Sequence, residues 1–223
     1  MVAEPPEERG HGTGGPGRRG APGGRRAARE LLPASWQPLL AQPPLAGMLT
    51  QPLVADALLE MRRILPPSLA LHSLRAFLLA DARARAAGTG YDRTGLFAAA
   101  AFHDTGLTGH APRTPGGFPH RSAELLDRFL TRHGTDEARR RVLHRAVGAH
   151  MRPFPARDAS PEARLLHFGA WLDVTGRGTR QVPGERRRLA RLAPTPLLAV
   201  SFSARMAVCE LRRALPVPSP PGR

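Results

Sequence analysis

His103 and Asp104 stand side by side at the end of the apolar run Gly95-Leu-Phe-Ala-Ala-Ala-Ala-Phe102, and Thr105-Gly106 follows them. A buried carboxylate without a partner is costly. A divalent metal ion is a partner that an imidazole and a carboxylate can share. Two more residues fit the same site. His72 lies upstream in Leu69-Ala-Leu-His-Ser-Leu-Arg75, and Asp173 lies downstream in Phe168-Gly-Ala-Trp-Leu-Asp-Val174. The expected ligand set is therefore His72, His103, Asp104 and Asp173. Such donors suit zinc, iron, manganese or nickel better than calcium. Successive helical residues point about 100° apart, so His103 and Asp104 reach one ion only where a helix ends, and Thr105-Gly106 supplies an end.

Each residue alone has a plainer reading. His72 would be a core histidine with a satisfied hydrogen bond. Asp173 would face water before Gly176, although a carboxylate is disfavoured at that end of a helix dipole. The ordered set of four on three apolar helices favours the ion. Arg75 lies three residues after His72 and shares its helical face. Two functional roles are open to it, orienting a carboxylate ligand or holding substrate. Arg113 and Arg152 are further candidates to hold an anionic substrate, because a guanidinium binds phosphate bidentately. His150 shares a helical stripe with Leu143, Ala146 and Val147 and so faces the core. His133, His144 and His167 read as surface or helix-end residues.

The elements that must position these groups are all helical. Leu53, Ala57, Met61 and Leu65 form an i, i+4 stripe, with Thr50 as the expected N-cap. Ser68 is expected to cap the next helix, which runs to Ala87 and stops at Gly88. A third holds Leu96 to Asp104. Residues 105–120 are rich in Gly, Pro and Thr and read as a loop. Helices are expected at about 121–133 and 136–151. Ser160-Pro161 opens another that ends at Val174 or Thr175, and two more span about 184–193 and 196–214. No stretch alternates long enough for a confident strand. The fold class is all-α, one helical domain over 50–215. Residues 1–30, rich in Arg, Gly and Pro, read as a disordered tail, with His11 in it and not a ligand. Residues 31–49 read as an extended Pro-rich lead-in packing on the domain, and 216–223 as a second short tail.

His-Ser-Leu-Arg75, Phe102-His-Asp-Thr-Gly-Leu107 and the downstream Asp173 resemble the HD-domain metal-dependent hydrolases, a family of helical fold. With Ala146-Val-Gly-Ala-His150 and Trp171-Leu-Asp-Val-Thr-Gly176, the chain is similar over roughly residues 50–180 to the cyanamide hydratase-like branch. The resemblance implies that His72, His103, Asp104 and Asp173 bind metal, and that a water activated there attacks a phosphate ester or a small nitrile-like carbon. It also implies that a histidine such as His150 binds a second metal or contacts substrate. One ion is the favoured reading, with His150 lining the pocket; His120 and His150 are the donors a second would use. His150 or Asp104 would move the proton. The chain departs from the branch at Gly117-Phe-Pro-His-Arg-Ser-Ala123, where Pro119 replaces an acid and Ser122 a glycine. Weak or absent cyanamide hydration is the expectation from that departure. For phosphate, arginines should converge on the ion. For a small neutral molecule, the pocket should be narrow and apolar, lined by Phe102, Phe118 or Trp171.

Composition bounds the partners. The 223 residues carry a net charge of +15, and all 33 basic residues are arginine. That excess, alongside abundant Ala, Gly and Pro, fits a GC-rich coding sequence, and it also suits anionic small-molecule substrates. Nucleic acid is the weaker reading, because aromatics are only 5% and the motifs of common nucleic-acid modules are missing. A non-catalytic module, with a structural ion and a basic tail for nucleic acid or an acidic partner, is the alternative to an enzyme. The single cysteine, Cys209, forms no internal disulfide. With no long apolar run and no apolar segment in the first thirty residues, a cytoplasmic protein without a membrane partner is expected.

Overall fold

Proline placement explains where several helices begin. Proline is tolerated in a helix's first turn, where its missing N–H costs no bond. In the computed structural model, which describes residues 31–108, 116–196 and 198–214, Pro38, Pro43, Pro52, Pro67 and Pro161 all occupy such positions. The described residues form α-helices and short 3₁₀ turns, with no strand. The helices are α1 (Gln37–Leu40), α2 (Pro43–Ala46), α3 (Pro52–Ile64), α4 (Pro67–Ala87), α5 (Arg93–Phe102), α6 (Gly117–Arg132), α7 (Glu137–Ala149), α8 (Pro161–Thr175), α9 (Glu185–Leu192) and α10 (Leu198–Ala214). None is long and apolar enough to cross a membrane.

The lead-in is not extended. Its prolines start α1 and α2 rather than preventing them, and Trp36, Leu39, Leu40 and Leu45 are buried in the main core. Other boundaries move for the same reason. α3 starts at Pro52 after Gln51 rather than at a Thr50 cap, and α4 starts at Pro67 rather than after Ser68. α6 begins at Gly117, four residues earlier than expected. The capping expectation at Ser160 holds, since its Oγ accepts from the Ala163 N–H at 3.2 Å. Residues 1–30, 109–115, 197 and 215–223 lie outside the described residues, and with them both tails, His11 and Arg113.

α4 is the central helix. Residues 69–82 are buried almost without a break, as expected of a helix apolar on all sides and covered all round. Its closest neighbour is α8. A Cβ at Gly169 would stand 2.1 Å from the Ala76 carbonyl oxygen, so only glycine permits this crossing. One turn beyond that contact on each helix lie His72 and Asp173.

A candidate metal centre

The end of α5 sets the site. The last α-helical residue is Phe102, His103 is the C-cap, and Asp104 leaves helical geometry at φ −106°, ψ 2° before the 3₁₀ turn Thr105–Leu107. Neighbouring side chains thus converge instead of diverging by about 100°. Three contacts hold the turn. Thr105 Oγ1 donates to the Phe102 carbonyl, and the Gly106 N–H donates to Ser122 Oγ at 2.8 Å. Arg121 donates to the Gly106 carbonyl. A Cβ on Gly106 would lie 2.1 Å from the Phe118 carbonyl oxygen, so α6 packs directly on this turn.

His72, His103, Asp104 and His150 are each at most 2% exposed. Their hydrogen bonds assign the ring protons. His103 Nδ1 lies 2.8 Å from the Ala100 carbonyl, and His150 Nδ1 lies 2.6 Å from the Val147 carbonyl. A carbonyl only accepts, so each Nδ1 carries a hydrogen, and in the neutral ring each Nε2 keeps its lone pair. His72 Nδ1 faces Asp173 Oδ2 at 2.7 Å. Burial would push the Asp173 carboxyl up, but His72 and Arg75 hold it below the usual range. His72 Nδ1 therefore donates to a carboxylate, and its Nε2 is free as well.

The free atoms converge. His72 Nε2 and His103 Nε2 are 3.2 Å apart. With both rings neutral the two lone pairs would face each other, and either a proton on His103 Nε2 or a metal ion between the rings relieves that contact. Asp104 Oδ2 lies 3.3 Å from His103 Nε2 and 3.7 Å from His72 Nε2. His150 Nε2 lies 3.7 Å from Asp104 Oδ1. Both Asp104 oxygens and His150 Nε2 are buried with no hydrogen-bond partner, although buried polar atoms are normally satisfied. Burial would raise the Asp104 carboxyl, but His103, His150 and His72 hold it well below the usual carboxylate range. Burial would lower the His103 imidazole, but Asp104 outweighs it and holds the ring above its ordinary value. Burial holds His150 below its own.

His72, His103 and Asp104 can hold a metal ion.

Asp173 stands apart from that group. It sits behind His72 on Nδ1 while the ion would meet Nε2, so a metal-bound His72 would have Asp173 as its outer-shell carboxylate. Arg75 is spent on protein partners. Its Nε and Nη2 donate to the two Asp173 oxygens at 2.9 Å, Nη1 donates to the Ala193 carbonyl, and Nη2 also reaches Thr195 Oγ1. At 3% exposure it does not face a substrate; of its two open roles, the geometry matches orienting a carboxylate. Arg152 is exposed and lines a different cavity, with Arg145 and Asp158. His120 lies beside Glu124 and His144, away from the converging donors.

The donors open onto a cavity of about 230 Å³, whose walls are mainly Met151, Ala170, Trp171, Val174 and Phe202. No arginine lines it among the described residues. Trp171 is the aromatic wall expected for a small neutral molecule. Phe102 instead packs on Phe129, and Phe118 stands behind His150 and Phe202. Pro119 and Ser122 do not line the cavity either. The sequence gives no hint of Ser122 holding the turn, nor of α10 supplying Phe202, because both contacts are long-range. A scan against protein-family models finds no match, and no curated protein matches the chain.

Proposed function

We propose that the chain is a metal-dependent hydrolase of the HD type that adds water to a small neutral substrate of nitrile-like class. One observation carries the choice of substrate. The pocket over the metal donors is small and apolar, with no guanidinium among its described lining residues. A phosphate ester would need cationic partners there. The resemblance of the His-Ser-Leu-Arg and His-Asp-Thr-Gly motifs supports the same reaction class. Because Pro119 and Ser122 lie outside the lining, the departure from the cyanamide branch does not alter the pocket wall.

Zinc, iron, manganese or nickel would be held by His72, His103 and Asp104. When bound, such an ion lowers the pKa of a water from 15.7 to about 7 and so supplies a nucleophile at neutral pH. The chain's residues do the rest. Asp173 fixes the His72 tautomer, and Arg75 fixes Asp173. The apolar walls exclude bulk water and fit a small uncharged molecule. As the water oxygen bonds the nitrile carbon, its proton passes to the free lone pair of His150 Nε2 and on to the nitrile nitrogen. The C≡N group thereby becomes an imidic acid, C(OH)=NH, and transfer of its remaining hydroxyl proton from oxygen to nitrogen gives the amide.

The assay is urea release from cyanamide, run beside phosphate release from nucleotides and phosphomonoesters. The expected result is metal-dependent urea formation, lost in His72→Ala, with no phosphate released. Phosphate release that disappears in His72→Ala would move the chain to the phosphohydrolase branch.

A further inference from the structure

A second cavity, of about 450 Å³, shares Trp171 with the metal pocket and has the opposite chemistry. Arg83, Arg164 and Arg177 line it, and no carboxylate does among the described residues. The arginine ion pairs among the described residues involve other arginines, so these three guanidiniums have no acidic partner there. Two of them lie over aromatic faces. The Arg177 guanidinium carbon is 5.5 Å from the Phe154 ring centre and 5.1 Å from that of Trp171, and Arg83 is 6.0 Å from Phe168. Phe154 is 71% exposed. Pro153 and Pro155 flank it and restrict its backbone. Core packing gives no reason for that ring to stand in solvent.

We propose that this groove binds a small anion carried on a planar ring, the class that includes mononucleotides and aryl phosphates. Guanidiniums without an acidic partner recognise the anion, bidentately where it is a phosphate or carboxylate; Arg164 also donates to the Arg157 carbonyl at 3.3 Å. The Phe154 face stacks on the ring, as aromatic side chains do on nucleobases. The volume falls in the range of about 300–1,000 Å³ typical of small-ligand sites, which favours a single small molecule over a polymer strand. The site shares Trp171 with the metal pocket but none of its metal donors, so it stands or falls independently of the hydrolase reading.

The test titrates the full chain with AMP, phenyl phosphate and inorganic phosphate, with and without added zinc, by calorimetry and tryptophan fluorescence. Of the chain's two tryptophans, Trp36 is buried in the core and Trp171 lines the groove. AMP and phenyl phosphate should bind saturably and change Trp171 emission, with inorganic phosphate at least about tenfold weaker. Arg177→Ala and Phe154→Ala should each weaken AMP about tenfold. Arg145→Ala, an exposed arginine lining a different cavity, should not. Binding should survive His103→Ala, which separates it from the metal centre. Equal affinity for inorganic phosphate, an equal loss in Arg145→Ala, or no saturable binding would overturn the proposal. So would loss of binding in His103→Ala, or affinity for oligonucleotides that grows with their length.

Discussion

The two cavities on either side of Trp171 separate charge in opposite ways. In the metal pocket every titratable group is buried, each imidazole has its Nδ1 committed to a protein acceptor, and the walls are apolar. In the neighbouring groove the charged groups among the described residues are cationic, and two of the three, Arg83 and Arg177, rest on aromatic faces. A net charge of +15 thus says little about where chemistry happens. No arginine lines the pocket among the described residues, and Arg75, beside the centre, is paired with Asp173 behind His72. What distinguishes the candidate metal centre from the arginine-lined groove is committed hydrogen bonding of each imidazole Nδ1 around Nε2 atoms that converge.

The sharpest way to break this contrast is to remove a donor. His72→Ala should take metal-dependent turnover to background while leaving AMP binding to the groove intact, as checked by urea release and calorimetry. Next in size is Arg75→Met, which leaves the buried Asp173 charge without its guanidinium partner. Breaking a buried pair in this way costs roughly 3–5 kcal/mol, read as a large fall in Tm, and Asp173→Asn in the same chain should recover part of it. An unchanged Tm with a raised KM would instead place Arg75 on the substrate. Asp173→Asn alone should weaken metal affinity by about 10- to 100-fold, the usual cost of losing an outer-shell carboxylate, as measured by competition with a chelator. Arg177→Ala should weaken AMP and leave metal content and Tm unchanged.

The smallest effect lies at the start of α5, the helix whose far end carries His103 and Asp104. Asp92 caps α5 by accepting from the Gly95 N–H and also pairs with Arg139. Removing such a cap costs about 1 kcal/mol. Burial opposes its ionisation, but Arg139 and the Gly95 N–H hold its carboxyl below the usual value. Its contribution is therefore complete above the unfolded carboxyl's pKa and lost as pH falls through the lower folded one. The Tm deficit of Asp92→Ala should be full at neutral pH and shrink on acidification below the ordinary carboxylate range.

Much of this was legible in the sequence, and the exceptions share a cause. The all-helical class, the Ser160 and Gly176 boundaries of α8, and the grouping of His72 with His103-Asp104 follow from local patterns. So does the helix end that lets adjacent side chains converge. Arg75 was legible as sharing His72's face, but its partners Ala193 and Thr195 are 118 and 120 positions away, so nothing local decided between its two roles. Arg152 is two residues from His150 yet turns into another cavity. Prolines in residues 31–49 read as breakers because the motif that makes them helix starters, position one or two of a turn, depends on contacts with a core not yet assembled. Phe154 gave no signal, since an exposed aromatic between prolines has no periodicity.

The central claim is that His72, His103 and Asp104 hold one divalent ion, and elemental analysis tests it most directly. Protein purified without a histidine tag should carry, or take up, about one transition-metal equivalent per chain, with a Tm that rises on loading. His103→Ala and Asp104→Ala should lose both the metal and the rise. Well-folded wild-type protein that contains no metal, and neither binds added zinc, iron, manganese or nickel nor gains stability from them, would contradict the account.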